Sequence, residues 1–209
     1  MKKLSQILVL IFSSLMLFCF SACASENSTD NTAQSTQQSS SAPSTTEKSG
    51  SKILVAYFSC TGNTENAAKQ IAAATGGDLY AIQPAQPYTA DDLNYNDDTT
   101  RATTEQHDLN IRPALSGTVD NFQQYDVIFV GYPIWWDQAP RVINTFMESY
   151  DFSGKTVIPF CTSGGSNITN SVNQLKSTYS DINWLDGKRL GGGVSADEVA
   201  SWIDSLNIK

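Results

Sequence analysis

Ser59-Cys60-Thr61-Gly62-Asn63-Thr64 is the stretch on which the reading of this 209-residue chain turns. Before it runs Ile53-Leu54-Val55-Ala56-Tyr57-Phe58, an unbroken apolar run of strand length with β-branched and aromatic members. After it, from Glu65 to Ala74, Ala67, Ala68, Ile71 and Ala72 recur at helical spacing. The stretch is therefore expected to be a strand-to-helix turn, rich in hydroxyls and carrying one glycine. A helix start exposes unpaired backbone N–H groups and the positive end of the macrodipole, which together suit a phosphate. Ser59, Thr61 and Thr64 add hydroxyl donors, and Gly62 lets the backbone curl close to a ligand. No Lys or Arg lies between Phe58 and Ala68, so a phosphate here would be held by neutral donors. An ordinary turn with an Asn or Thr cap is the plainer alternative.

The order is an apolar residue, an aromatic, S/T-x-x-G-x-T, then an alanine and an aliphatic one helical turn further on. It is filled by Val55, Tyr57, Ser59, Gly62, Thr64, Ala68 and Ile71. This resembles the FMN-phosphate signature of the flavodoxin family. The resemblance implies that Ser59, Cys60, Thr61, Gly62, Asn63 and Thr64 contact the FMN phosphate. Ala56 departs from the family, which usually carries a larger residue there.

Working outward, Asp78 to Gln83 is expected to be a second strand, and Asp126-Val127-Ile128-Phe129-Val130-Gly131 a third. The third is apolar throughout, as a parallel strand covered on both faces should be. It runs into Tyr132-Pro133-Ile134-Trp135-Trp136-Asp137-Gln138-Ala139-Pro140, and Pro140 opens a helix that buries Val142, Ile143, Phe146 and Met147. Thr156 to Cys161 reads as a fourth strand, although Pro159 inside it cannot donate to a ladder. Thr162-Ser163-Gly164-Gly165-Ser166-Asn167 then makes a second hydroxyl- and glycine-rich turn before a helix to about Ser177. A short fifth strand, Lys188 to Gly193, precedes a closing amphipathic helix with Val199, Trp202, Ile203 and Leu206 at i, i+3, i+4, i+7. Alternating β and α elements predict an α/β doubly wound fold with a five-stranded parallel sheet and helices on both faces. The flavodoxin-like order is 2-1-3-4-5, with the ligand at the switch point.

The loop after strand three is the second place where the resemblance applies. Similar flavodoxins stack an aromatic of this loop on the isoalloxazine, which implies Pro133, Ile134, Trp135 and Trp136 as cofactor contacts. By position Trp135 is the stacking ring, with Trp136 covering an edge or packing on the insertion. Alternatively, both tryptophans anchor the loop to the core. The resemblance also implies that Thr162, Ser163, Gly164 and Gly165 line the pyrimidine side through backbone N–H groups. No aromatic stands there, so that flavin face is open or covered by the insertion.

That insertion, Pro84 to Tyr125, holds scattered apolar residues, Pro84, Pro87 and Pro113, and one expected helix from Thr99 to His107. Its length points to function or disorder. Similar flavodoxins carry an insertion of this kind beside the flavin edge. A surface excursion held by Arg–Glu pairs explains it equally.

At the other end, Met1-Lys2-Lys3 and the apolar run Ile7 to Phe20 read as a signal segment over residues 1–23. Phe20-Ser21-Ala22-Cys23 resembles a bacterial lipobox, which implies lipidation of Cys23 and an extracytoplasmic domain anchored to a membrane. An uncleaved signal anchor would give the same orientation. Residues 24–51, rich in Ser, Thr, Gln, Asn and Ala, read as a disordered tether, so the domain spans 52–209.

A formal charge of −8 argues against nucleic-acid binding, because phosphates would be repelled. With four cysteines at no metal-ligand spacing and the single His107, no metal site is expected. In this topology Cys60 and Cys161 would end strands two apart, roughly 9–10 Å, too far for a disulfide. Neither G-x-S-x-G, G-x-G-x-x-G nor a P-loop lysine occurs, and no catalytic residue is assigned. The resulting expectation is an FMN-binding electron-transfer protein serving redox partner proteins or a small-molecule acceptor. The alternatives are a flavin-dependent reductase of quinones or nitro compounds, and a non-redox binding module on the same scaffold.

Overall fold

In the computed structural model, which describes residues 50–208, the apolar runs become parallel strands. The signal segment, Cys23 and the tether up to residue 49 lie outside the described residues. The elements follow in the order β1 (Ile53–Tyr57), α1 (Asn63–Thr75), β2 (Asp78–Ala81), α2 (Arg101–His107), β3 (Val127–Pro133), α3 (Arg141–Glu148). They continue with β4 (Thr156–Thr162), α4 (Thr169–Thr178), β5 (Asn183–Trp184), β6 (Lys188–Leu190) and α5 (Ala196–Ser205). Every pairing is parallel, and the sheet order is β2-β1-β3-β4-β5, with β6 also on β4. Val55 stands opposite Phe129, which stands opposite Ile158.

Strand alternation divides the core between the two sheet faces. Leu54, Ala56 and Phe58 belong to one core cluster with Ile128, Val130 and the α3 residues Val142, Ile143 and Phe146. Val55 and Tyr57 belong to the other, where Ala67, Ala68 and Ile71 of α1 and Val199, Trp202 and Ile203 of α5 cover the sheet. The expected doubly wound α/β architecture is thus present. Among the described residues no helix is long and apolar enough to cross a membrane.

The fifth strand differs from expectation: its place is taken by two short pieces, and Pro159 supplies the reason. Leu185 N–H donates to Val157 O (2.9 Å), so alternate residues of β4 turn their backbone groups to this outer side. Pro159 falls in that row and has no N–H to offer. The outer chain bulges through Leu185-Asp186-Gly187 and returns to pair Lys188 with Phe160. The return passes so close to β4 that a Cβ on Gly187 would lie 2.6 Å from Pro159 O.

The insertion is folded by polar contacts. Thr100 caps α2, its hydroxyl accepting from the Thr103 N–H. Arg101 Nε donates to Glu105 Oε1 (2.7 Å), Tyr88 O–H donates to Glu105 Oε2, and the Arg101 guanidinium lies 4.1 Å from the Tyr88 ring centroid. Arg141, 2% exposed at the start of α3, donates to the carbonyls of Glu105 and Gln106 (3.2 and 2.8 Å) and to Gln138 Oε1 (2.6 Å). A cation at those carbonyls also complements the negative end of α2. Arg112 grips Glu148 of α3 through Nε (2.9 and 2.8 Å to the two oxygens), fixing the far end of the insertion.

Candidate functional site

The loops after β1, β3 and β4 meet at the carboxyl ends of three adjacent strands. Gly62 stands at the N-cap of α1 with φ +84° and ψ −11°, a left-handed conformation that side chains resist. It supplies no side-chain cap, and the first helical bond runs from Asn66 N–H to Gly62 O (2.9 Å). The N–H groups of Asn63, Thr64 and Glu65 therefore lack intrahelical acceptors and face outward with the helix dipole behind them. The loop holds its own shape: Gly62 N–H donates to Ser59 Oγ (3.1 Å), and Asn63 Nδ2 donates to Thr61 Oγ1 (3.3 Å).

Of the residues named from sequence, Thr61, Asn63, Pro133, Ile134, Thr162, Ser163 and Gly164 line one cavity of about 340 Å³. Gly192 completes it and was not expected. A Cβ on Gly192 would sit 2.5 Å from Asn63 Oδ1, and its carbonyl accepts from Asn66 Nδ2 (3.1 Å). The signal that marks it is Gly191-Gly192-Gly193, three glycines in succession where an edge strand ends. Gly165 is held just outside, its N–H donating to Ser163 Oγ (3.2 Å) and its carbonyl accepting from Arg189 Nη1 (3.4 Å).

Three expected contacts are arranged otherwise. The Thr64 hydroxyl, 1% exposed, turns inward to Thr162 Oγ1 (2.7 Å), leaving its backbone N–H as the group at the helix start. Ser59 and Cys60 line a different cavity on the other side of the loop. Burial pushes the Cys60 thiol up to about 11, against the smaller opposing pull of Arg101. Cys161, inside β4, is pushed up to about 12 for the same reason, and both thiols are free.

The two tryptophans part company. Trp135 is 3% exposed and packs edge-on against Phe58 (5.5 Å between centroids) and Tyr88 (5.0 Å), which is the anchoring role rather than the stacking one. Trp135 N–H donates to Gln138 O (3.0 Å) and Gln138 N–H to Trp135 O (2.9 Å), closing a tight two-residue hairpin. Its two central residues, Trp136 (φ +45°) and Asp137 (φ +62°), are both left-handed, as such a turn demands and as a bulky side chain resists. The strained turn carries Trp136 outward to a half-buried position against Tyr95 (4.8 Å), a residue of the insertion that is 54% exposed, and His107 (6.2 Å). Gln106 Nε2 donates to the carbonyls of Trp135 (3.1 Å) and Ala139 (3.2 Å), so the insertion clamps the hairpin from behind. Asp137 accepts from Asn170 Nδ2, which ties its tip to α4.

Comparison with known proteins gives the same architecture. The family model described as Flavodoxin matches residues 52–206. The solved structure of a flavoprotein from Bacteroides eggerthii is 52% identical, with a TM-score of 0.74, over 77% of this chain and 100% of that one. One from Bacteroides uniformis is 51% identical, with a TM-score of 0.72, over 74% and 99%. A Lactobacillus acidophilus flavoprotein solved in complex with FMN is 22% identical, with a TM-score of 0.61, over 74% and 99%. No curated protein matches.

Proposed function

This chain belongs to the flavodoxin family, and from that premise we propose that it holds FMN between the loops after β1, β3 and β4 and works in electron transfer. The observation carrying the reading is the uncapped start of α1 behind Gly62, opening beside a cavity built from all three loops. The residues present fit the group. The N–H groups of Asn63, Thr64 and Glu65, with the Thr61 hydroxyl, would take the phosphate without any cation. The glycines of the loop after β4 leave room for a ring, since a Cβ on Gly164 or Gly165 would meet nothing within 4 Å. Trp136, which the hairpin after the cavity-lining Pro133 and Ile134 carries outward, is the aromatic that would cover it.

Bound there, FMN would supply reversible one- and two-electron transfer, with the protein supplying binding and electrostatics. The chain's own part would be to orient the cofactor between two tied loops and to keep water from its inner edge with Pro133 and Ile134. The lipobox-like stretch ending at Cys23 supports placing this activity at an extracytoplasmic membrane surface, with redox proteins or a small acceptor as partners.

The deciding experiment is an absorbance titration of the protein with FMN followed by stepwise reduction. Perturbed flavin bands and two resolved one-electron steps are the expected result. Reduction in a single two-electron step would favour a reductase, and free-flavin spectra throughout would remove the cofactor.

A further inference from the structure

The cavity on the other side of the Ser59–Gly62 loop, about 280 Å³ in volume, shares no lining residue with the one proposed for FMN. It opens at the carboxyl ends of β1 and β2, where the chain leaves each strand for Ser59 and for Gln83. Its walls are Phe58, Ile82, Pro84, Pro87 and Tyr88.

Four of these five walls are tied in place, and Pro87 stands exposed at the mouth. Phe58 and Ile82 are core residues, 2% exposed each. The Tyr88 ring is fixed by the hydrogen bond from its hydroxyl to Glu105, by the Arg101 guanidinium over it, and by ring contacts to Phe58 (5.7 Å) and Trp135 (5.0 Å). Pro84 is held through the bridge to Leu115, and Ala85 N–H donates to Ala114 O (2.7 Å) beside it. A preformed aromatic and proline-lined cleft suits a flat apolar ring, which loses little freedom on entering.

The polar groups at the mouth narrow the chemistry. Ser59 Oγ already accepts from Gly62 N–H, which leaves its own O–H as a donor, and one lone pair, for a ligand. The Cys60 thiol, pushed up to about 11, stays protonated near neutrality and is likewise a weak donor. The Gln83 side chain adds a carboxamide. The charges nearest the wall are committed: Glu105 accepts from both Arg101 and Tyr88, and Arg101 also donates to Gln86 O (2.7 Å). A charged ligand would lose its hydration and gain no counter-charge.

We propose that the cleft walled by Phe58, Ile82, Pro84, Pro87 and Tyr88 is a second binding site, taking a small, flat, uncharged aromatic molecule with a hydrogen-bond acceptor for Ser59. This goes beyond the FMN reading and stands or falls separately from it.

The test is a calorimetric titration of the full chain with naphthol, and in parallel with naphthalenesulfonate, each with and without saturating FMN. Gln83→Trp and Pro87→Trp, both at exposed positions on the mouth, serve as filling variants. The expected result is saturable one-to-one naphthol binding that persists with FMN bound and is weakened by about tenfold or more in either variant. FMN affinity stays unchanged, and naphthalenesulfonate binds more weakly than naphthol. Absence of saturable binding, or binding indifferent to both variants, would overturn the proposal. So would equal affinity for the sulfonate. Loss of naphthol binding on FMN saturation would make the cleft part of the cofactor site and end the second-site proposal while leaving FMN in place. Failure of FMN to bind while naphthol still does would overturn the cofactor reading alone.

Discussion

Thr64 and Thr162, 98 positions apart, share a buried hydroxyl–hydroxyl hydrogen bond of 2.7 Å that joins the start of α1 to the end of β4. Two loops that would have to grip one ligand are thus held in register by a bond neither presents to solvent. Thr64→Val keeps the shape, removes the bond and leaves the Thr162 hydroxyl buried without a partner. It is expected to lower unfolding free energy by about 1–3 kcal/mol, read from urea denaturation. FMN affinity should change less than in Thr61→Ala, because the phosphate-facing group at position 64 is the backbone N–H.

The adjacent tryptophans should respond in opposite ways. Trp135→Ala opens a hole beneath Phe58 and Tyr88 and is expected to cost about 3–5 kcal/mol of stability. Trp136→Asn places a residue tolerant of positive φ in the hairpin, relieving about 1–2 kcal/mol of backbone strain that offsets lost contact with Tyr95. Its stability should therefore change little, while FMN binding weakens by about tenfold, as for a lost ring contact of about 1.4 kcal/mol. Urea denaturation and quenching of flavin fluorescence measure the two effects. A reversal between the two positions would return the stacking role to Trp135.

Arg141 is a buried cation whose guanidinium donates to two backbone carbonyls and an amide oxygen. Arg141→Met leaves those carbonyls at the end of α2 without their donor and should cost about 3 kcal/mol. Hydrogen exchange of the amides in Arg101–His107 should accelerate more than exchange in β3. Uniform acceleration would mean that the insertion and the sheet open as one unit.

Glu148 gives the fold a pH dependence of known sign. The hydrogen bonds from Arg112 hold its carboxyl below the usual carboxylate range, against a smaller opposing effect of burial. A folded value below the unfolded value of about 4.3 means that the contribution is present above that value. It is lost as pH falls through the folded one. Wild type and Glu148→Gln should therefore differ in urea midpoint near neutrality and converge as the solution is acidified. A constant difference down to strong acid would place the effect in packing.

Cys60 should alkylate slowly for an exposed thiol. With its ionisation pushed up to about 11, iodoacetamide labelling followed by peptide mapping is expected to accelerate through that pH. An unperturbed thiol would reach its plateau above about 8.5. Cys161, buried in β4, should label only on unfolding.

Much of this was legible in the chain because the sheet is built from runs with one meaning. Ile53–Tyr57, Val127–Pro133 and Thr156–Thr162 are apolar runs suited to parallel strands covered on both faces, and a helix pattern follows each of them. Within the insertion the helix and its Arg101–Glu105 pair at i, i+4 follow a period and could be read. The ties from Tyr88 to Glu105, and from Gln106 and Arg141 across to the hairpin and α2, join residues 17 to 36 positions apart and follow none. Of the candidate site, the loops could be read and the side-chain directions could not. Whether Thr64 turns in or out depends on Thr162 waiting across the sheet, and which indole is anchored depends on the left-handed turn at Trp136 and Asp137. Composition gives no sign of either.

The interruption opposite Pro159 also bears on how these molecules behave in company. An outer strand running the full length of β4 would offer a continuous row of donors and acceptors to any neighbouring chain, the usual starting point for edge-to-edge aggregation. Here that border consists of pieces of two and three residues separated by a bulge. A second copy laid alongside could form only fragments of a ladder. The proline that breaks the pattern within the sheet thereby keeps the sheet from growing past its own boundary.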